Sequence, residues 1–180
     1  SLACMRMYDI TSSQKYLDLA DICLQQDLQR LTITDGICNL ATDDSRLMPY
    51  FSLGSAGVSL TIQHRTQYPN IRDHQQEHLA SIHNALTARP CAHAGLFKGE
   101  AGLIGTLLTL SGYNQTSRQI ALDYAPLFLI QKSDDESLYA PGDFSYRFSD
   151  DLATGTIGWI YALSGNILSI FPGFPLLERR

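Results

Sequence analysis

The sequence predicts an all-α fold of stacked helical units, interrupted by a small β-hairpin near residues 137–148. Two glycines three residues apart, running into apolar helix residues, occur three times. The copies are Ser52-Leu-Gly-Ser-Ala-Gly-Val-Ser-Leu60, Ala94-Gly-Leu-Phe-Lys-Gly-Glu-Ala-Gly-Leu103 and Ala153-Thr-Gly-Thr-Ile-Gly-Trp-Ile-Tyr-Ala-Leu163. Their leading glycines, Gly54, Gly99 and Gly155, stand 45 and 56 residues apart, a period that marks stacked helical units. An amphipathic stretch follows each of the first two copies, so each unit pairs an apolar helix with an amphipathic one, as an inner and an outer layer do.

In chain order, residues 13–31 follow the candidate caps Ser12 and Ser13. They carry Leu17, Ala20, Cys23 or Leu24, Asp27 or Leu28 and Leu31 at helical spacing. Residues 32–51 are mixed; Asp35-Gly36 and Asp43-Asp-Ser45 are turn signals, and a short helix or loop ending at Pro49 fits. The first glycine-led helix spans Gly54 to Thr66. Pro69-Asn70 breaks it, and an outer helix runs from Ile71 to about Thr87. The second unit places an inner helix at Gly102 to Leu110, a turn at Gly112, and an outer helix from Ser117, capped by Thr116 or Ser117, to about Lys132. Pro126 should kink or end that helix. Alternating aromatics around Pro141-Gly142 predict the hairpin. The third inner helix runs from Gly155 to Ser164, and the Pro/Gly-rich tail packs as a loop.

Glycine suits these helix entries because a start pressed against neighbouring backbone has no room for a Cβ. The free N–H groups of the first turn then point at whatever lies in front. A ring of such entries would frame a central pocket.

Bulk properties narrow the function. One hundred and eighty residues suffice for a single domain with a real core. Charged residues make up only 17 % and the formal net charge is -5, so no basic stripe invites nucleic acid. Cys4, Cys23, Cys38 and Cys91 are widely spaced with no C-x-x-C, which points to a reducing, cytoplasmic setting. No apolar run reaches the length of a membrane span.

Several residues could carry chemistry. His74-Gln-Gln-Glu-His78 spells an inverted zinc-peptidase motif, with His74 and His78 on one helix face and Glu77 beside them; the ordinary alternative is a solvated outer face. Cys91 and His93 could be two metal ligands, but the further ligands zinc requires are not evident. His64 and His83, near helix ends, read as surface residues. Lys98 is one of three lysines and sits at the mouth of an inner helix, placed to hold an anionic nucleophile or to protonate an enolate; the alternative is a lysine that snorkels to solvent.

Gly95-Leu-Phe-Lys-Gly-Glu-Ala-Gly102, Leu53-Gly-Ser-Ala-Gly57 and Phe148-Ser-Asp-Asp-Leu-Ala-Thr-Gly-Thr-Ile-Gly158 resemble the repeats of LanC-type cyclases. The last, with Leu138-Tyr-Ala-Pro-Gly-Asp143 before it, is most similar to the metal-free cyclase domain at the C-terminus of kinase–cyclase (class III) lanthionine synthetases. The resemblance covers residue 49 to the end. It implies a partial α/α toroid, a single domain over 1–180 that is the C-terminal fragment of a cyclase, and a bacterial, cytoplasmic setting. The implied reaction adds cysteine thiols of a precursor peptide across dehydroalanine or dehydrobutyrine, giving lanthionine or labionin rings, with the fragment inactive by itself. No cofactor is expected, since Ser52, Phe97 and Lys98 stand where zinc-dependent relatives carry their ligands. The expected partners are the precursor peptide, kinase and lyase domains upstream in the same polypeptide, and a second copy through exposed inner helices. The candidate catalytic residues are Lys98, Tyr50 and Tyr139; Gly54, Ser55, Gly99, Glu100, Thr154 and Gly155 are expected to bind substrate. A helical-repeat scaffold that binds a peptide or docks a domain is the alternative, and a zinc hydrolase using His74, Glu77 and His78 a further one.

Overall fold

The computed structural model describes residues 1–69, 77–88, 91–112, 114–131, 136–142, 148–165 and 167–170. Among them, seven α-helices are joined by two three-stranded antiparallel sheets. The fold is therefore mixed helix and strand; the expected all-α chain and its partial α/α toroid are overturned.

Most of the difference lies in residues 31–48. Helix α1 (Leu2–Thr11) and helix α2 (Lys15–Leu28) are followed by strands β1 (Leu31–Thr34), β2 (Ile37–Ala41) and β3 (Leu47–Met48). Asp35 and Gly36 both have positive φ, 51° and 76°. That is the mirror-image turn whose twist matches a tight hairpin, and it pairs Thr34 with Ile37 and Leu31 with Leu40. Period-two burial does the rest. Cys38 and Leu40 on β2 are buried against Leu24, Leu28, Val58, Ile62 and Ile82, with half-buried Asn39 between them.

Helix α2 buries Leu17, Ala20, Leu24 and Leu28 along one face, as its spacing predicts. It takes its cap from neither Ser12 nor Ser13: Gln14 is the cap residue, and Ser12 ends α1 in the left-handed conformation.

The glycine-led helices are α3 (Ser55–Arg65), α5 (Glu100–Leu110) and α7 (Thr156–Leu163). They are the helices the repeat predicts, with Gly54, Gly99 and Gly155 as extended cap residues. Helix α5 lies between the other two and is buried from Glu100 to Thr109. Helix α4 (Leu79–Thr87) packs on β2, α3 and α5; residues 71–76 of its expected span lie outside the described residues. Helix α6 (Gln115–Tyr124) packs on α5, and the Asn114 side chain caps it by accepting the Ser117 N–H at 2.9 Å.

Pro126 ends α6. It lacks an N–H and its ring collides with the preceding turn, so the chain tightens into a 3-10 turn at Ala125–Leu127. What was expected to continue as helix becomes strand β4 (Ile130–Gln131), which pairs with β5 (Leu138–Pro141). Strand β5 pairs in turn with β6 (Phe148–Ser149), Pro141 opposite Phe148. Strands β5 and β6 fall where the hairpin is expected and β4 adds a third strand; Pro141 lies in β5 and not in the turn, and residues 143–147 of the expected second arm lie outside the described residues.

The main core gathers Phe51, Leu60, Leu96, Ile104, Leu108 and Trp159 between the glycine-led helices. Trp159 is 1 % exposed, and Phe128 stacks on it with centroids 6.0 Å apart. On the outer side of α7, Ile157, Ile160 and Tyr161 are exposed. A 3-10 turn at Ile167–Ile170 buries Ile167 and Leu168. The rest of the tail, 171–180, lies outside the described residues.

The far end of α3 is anchored by charge. Arg65 is 1 % exposed and meets both oxygens of Asp21 on α2, at 2.8 and 3.0 Å. His64 beside it is buried, not a surface residue, and burial pulls its pKa below the usual histidine value. The Tyr68 hydroxyl, 3.4 Å from His64 Nε2, donates to Asp9 of α1 at 3.1 Å.

Candidate functional site

The segments leading into the three glycine-led helices meet at one end of the molecule. The Ser52 N–H donates to the Phe97 carbonyl at 2.8 Å, and the Leu96 N–H donates to the Ala153 carbonyl at 2.8 Å. Phe51 and Phe97 stack with centroids 5.9 Å apart.

The second glycine of each pair explains this geometry. Each is the third residue of its helix, and a Cβ there would press on the carbonyl three residues before the cap. Gly57 faces Phe51, Gly102 faces Leu96 and Gly158 faces Leu152. All three approaches are under the 3.0 Å that real Cβ atoms respect. Each entry therefore folds back over its own helix start, and only glycine leaves the backbone room to do so.

A cleft of about 380 Å³ opens where the first two entries meet the turn between β2 and β3, lined by Tyr50, Ser52, Leu53, His93, Lys98 and Arg46, among others. Two of the predicted catalytic residues, Tyr50 and Lys98, thus share one space. Lys98 is exposed and has no ion pair among the described residues. Tyr50 is half-buried; burial, then the neighbouring Cys91, push its phenol above the usual tyrosine pKa, which keeps the proton on it. His93 is exposed on the same wall. A second cleft, about 310 Å³, continues past His93 to Gly95, Phe128, Gly142 and Thr154.

The remaining predicted residues are dispersed. Tyr139, the third catalytic candidate, packs on Phe148 in the hairpin with centroids 5.3 Å apart and lines neither cleft. Ser55 is fully buried, and its hydroxyl has no hydrogen-bond partner among the described residues. Gly54, Gly99 and Gly155 are buried cap residues. Thr154 lines the second cleft but is committed to Asp151: its N–H donates to Oδ1 at 2.7 Å and its hydroxyl to Oδ2 at 2.6 Å. Hydrogen bonds from Ser149 and Thr154 hold the Asp151 carboxyl down to about 2.

Glu100 lies behind the first cleft. It is 0 % exposed at the first turn of α5. Its Oε2 accepts the Cys91 N–H at 2.8 Å, while Oε1 has no hydrogen-bond partner among the described residues. Burial raises the Glu100 pKa above the ordinary carboxylate value, against the lowering effect of its hydrogen bonds with Cys91. The Cys91 thiol donates to the His93 carbonyl at 3.1 Å and is pushed up to about 12, first by burial. Glu100 thereby fastens the segment carrying His93 over the start of α5.

Of the metal alternatives, His74 lies outside the described residues, Glu77 is exposed and His78 is the half-buried cap residue of α4. Cys91 and His93 are not joined by a third ligand: no group of three His, Cys, Asp or Glu suited to a metal ion occurs among the described residues. Of the three residues expected to stand at zinc-ligand positions, Ser52 and Lys98 line the first cleft and Phe97 stacks on Phe51. No helix among the described residues is long and apolar enough to cross a membrane.

Sequence reasoning missed Leu53 and Asp151. Leu53 precedes Gly54 as Lys98 precedes Gly99 and Thr154 precedes Gly155, and that equivalence was the available signal. Leu53 is 71 % exposed with φ at +58°, a left-handed backbone that costs a branched residue roughly 1–2 kcal/mol. The signal for Asp151 was an acid four residues ahead of a glycine cap, with Ser149 and Thr154 as partners.

No protein-family model matches the chain. The chain is similar to a protein of Streptomyces coelicolor named "Probable SapB synthase", at 29 % identity over 185 residues. The match takes in 98 % of this chain but 19 % of that relative, so the chain spans about a fifth of the relative's length.

Proposed function

We propose that the chain is the thioether-forming part of a lanthipeptide synthetase. Three glycine-led motifs resembling those of LanC-type cyclases support the reading, as does the likeness to a synthase along nearly the whole chain. The observation that carries it is the meeting of Tyr50, His93 and Lys98 in one cleft.

The reaction joins a cysteine thiol of a precursor peptide to the β-carbon of a dehydroalanine or dehydrobutyrine. The thiolate is the nucleophile. His93 takes the thiol proton, and the Lys98 ammonium steadies the resulting anion at the cleft mouth. As the S–C bond forms, the electrons of the C=C bond move onto the neighbouring carbonyl as an enolate. Tyr50, protonated at the start, delivers its phenol proton to the α-carbon and completes the thioether, and the proton that His93 took returns to the Tyr50 oxygen across the same cleft. If that enolate instead attacks a second dehydro residue, the carbocyclic labionin results. The residues at the zinc-ligand positions, Ser52, Phe97 and Lys98, suit a route in which a cation of the protein serves the thiolate. The precursor peptide and the kinase and lyase domains that prepare it are the partners this reading requires, and exposed Ile157, Ile160 and Tyr161 suit packing against another such domain or a second copy.

The test is ring formation on a dehydrated precursor peptide by the enzyme that carries this chain, followed by loss of alkylatable thiol in mass spectra. Lys98→Ala and Tyr50→Phe are each expected to slow ring closure at least tenfold while dehydration proceeds unchanged. Ring closure at the parent rate in both variants would remove the proposal.

A further inference from the structure

We infer that Leu53 is a specificity-determining residue, a ridge that parts two halves of one peptide groove and selects a segment carrying an apolar side chain beside an acidic one. The inference rests on the peptide-handling reading above and deepens it.

Two hollows share Ser52 and Leu53 as a common wall. On one side is the cleft of Arg46, His93 and Lys98. On the other is a hollow of about 430 Å³ walled by Leu2, Leu40, Phe51, Val58 and Phe97. The cleft carries two permanent cations and no carboxylate in its lining. Asp44 holds Arg46 at 2.7 Å, which leaves Lys98 to meet an incoming anion. The apolar hollow has Asp27 and Arg30 as its charged lining residues; Asp43 holds Arg30 at 2.8 Å, which leaves Asp27 to repel a second acid there, so the two sides ask for different side chains. Side chains along an extended peptide alternate in direction about every 3.3 Å, which suits neighbours that part on either side of a ridge.

The backbone at Leu53 supplies an independent argument. The side chain is 71 % exposed and its φ is +58°. The fold gains little burial from this leucine and bears the strain of its conformation, which glycine would relieve. Strain at an exposed residue beside a cleft fits a binding role better than a packing role. Neither equivalent residue, Lys98 or Thr154, has a positive φ.

The experiment uses the full 180-residue chain and fluorescein-labelled eleven-residue peptides in a glycine–serine background, read by fluorescence anisotropy. One peptide carries Leu-Glu at its centre; the controls carry Leu-Lys or Ala-Glu. The Leu-Glu peptide is expected to bind at least fivefold more tightly than either control. Leu53→Gly should weaken it at least fivefold with the melting temperature unchanged or raised. Lys98→Glu should reverse the order of Leu-Glu and Leu-Lys. Equal binding of all three peptides, binding by none, or binding within twofold of the parent in Leu53→Gly would each overturn the inference. A fall in binding accompanied by a fall in melting temperature would also overturn it, since it would show a structural residue. Ring closure is measured separately, so it can fail or succeed whatever these peptides do.

Discussion

Replacing Gly102 with alanine sets two physical effects of opposite sign against each other. Alanine inside a helix is favoured over glycine by about 1 kcal/mol, so on propensity alone the variant gains stability. The structure argues for loss. A Cβ at 102 would stand 2.9 Å from the Phe51 Cβ and closer still to the Leu96 carbonyl oxygen. The latter is backbone and cannot rotate away. Relief requires lifting the 93–97 segment off the start of α5, which strains its Leu96–Ala153 and Glu100–His93 backbone hydrogen bonds, both 2.8 Å. Losing two such bonds costs about 2 kcal/mol, and overpacking adds about 1–3 kcal/mol. Set against the propensity gain, the net loss is about 2–4 kcal/mol. For a chain of this size that is a fall of roughly 4–16 °C in melting temperature, measured by circular dichroism at 222 nm. Gly57→Ala and Gly158→Ala repeat the test at the other two entries. A Gly102→Ala protein that melts at or above the parent temperature would refute the close approach and with it the account of the glycine pairs.

Two further predictions concern buried charge. Asp21→Asn leaves the Arg65 guanidinium buried without its bidentate carboxylate, and should cost roughly 3–5 kcal/mol by urea unfolding. The double variant Asp21→Asn/Arg65→Met should lose less than the two single losses combined, because the pair acts as a unit. Glu100 carries a sign that can be checked against pH. Its folded pKa is raised above the ordinary 4.5, so between the two values the folded state holds more protons than the unfolded. Stability from this group is fully present below about 4.5 and drains away as pH rises through the folded value. Melting temperatures followed upward from pH 4 should therefore fall less steeply in Glu100→Gln than in the parent; identical slopes would show that burial does not perturb this carboxyl.

How the chain runs into its helices was largely legible in advance. Glycines three apart fix where a helix can press against backbone, and the structure uses Gly54, Gly99 and Gly155 as caps. Pro126 stopped α6 because a missing N–H and a ring clash act locally. The face of α2 followed from 3.6-residue spacing alone. Residues 31–48 were misread because Asp35-Gly36 identifies a turn, whereas a hairpin exists only once a partner surface covers Cys38 and Leu40.

The site divides along the same line. Residue type and place before a glycine cap singled out Lys98, a local property. That Tyr50 and His93 share its cleft, that Tyr139 does not, and that His64 and Glu100 are buried depend on which segments pack together. The sequence by itself determined the helix entries, since clash and dihedral preference act over a few residues. Only the tertiary structure decided which side chains meet, because burial, desolvation and hydrogen bonding between residues far apart in the chain exist only once the units have packed.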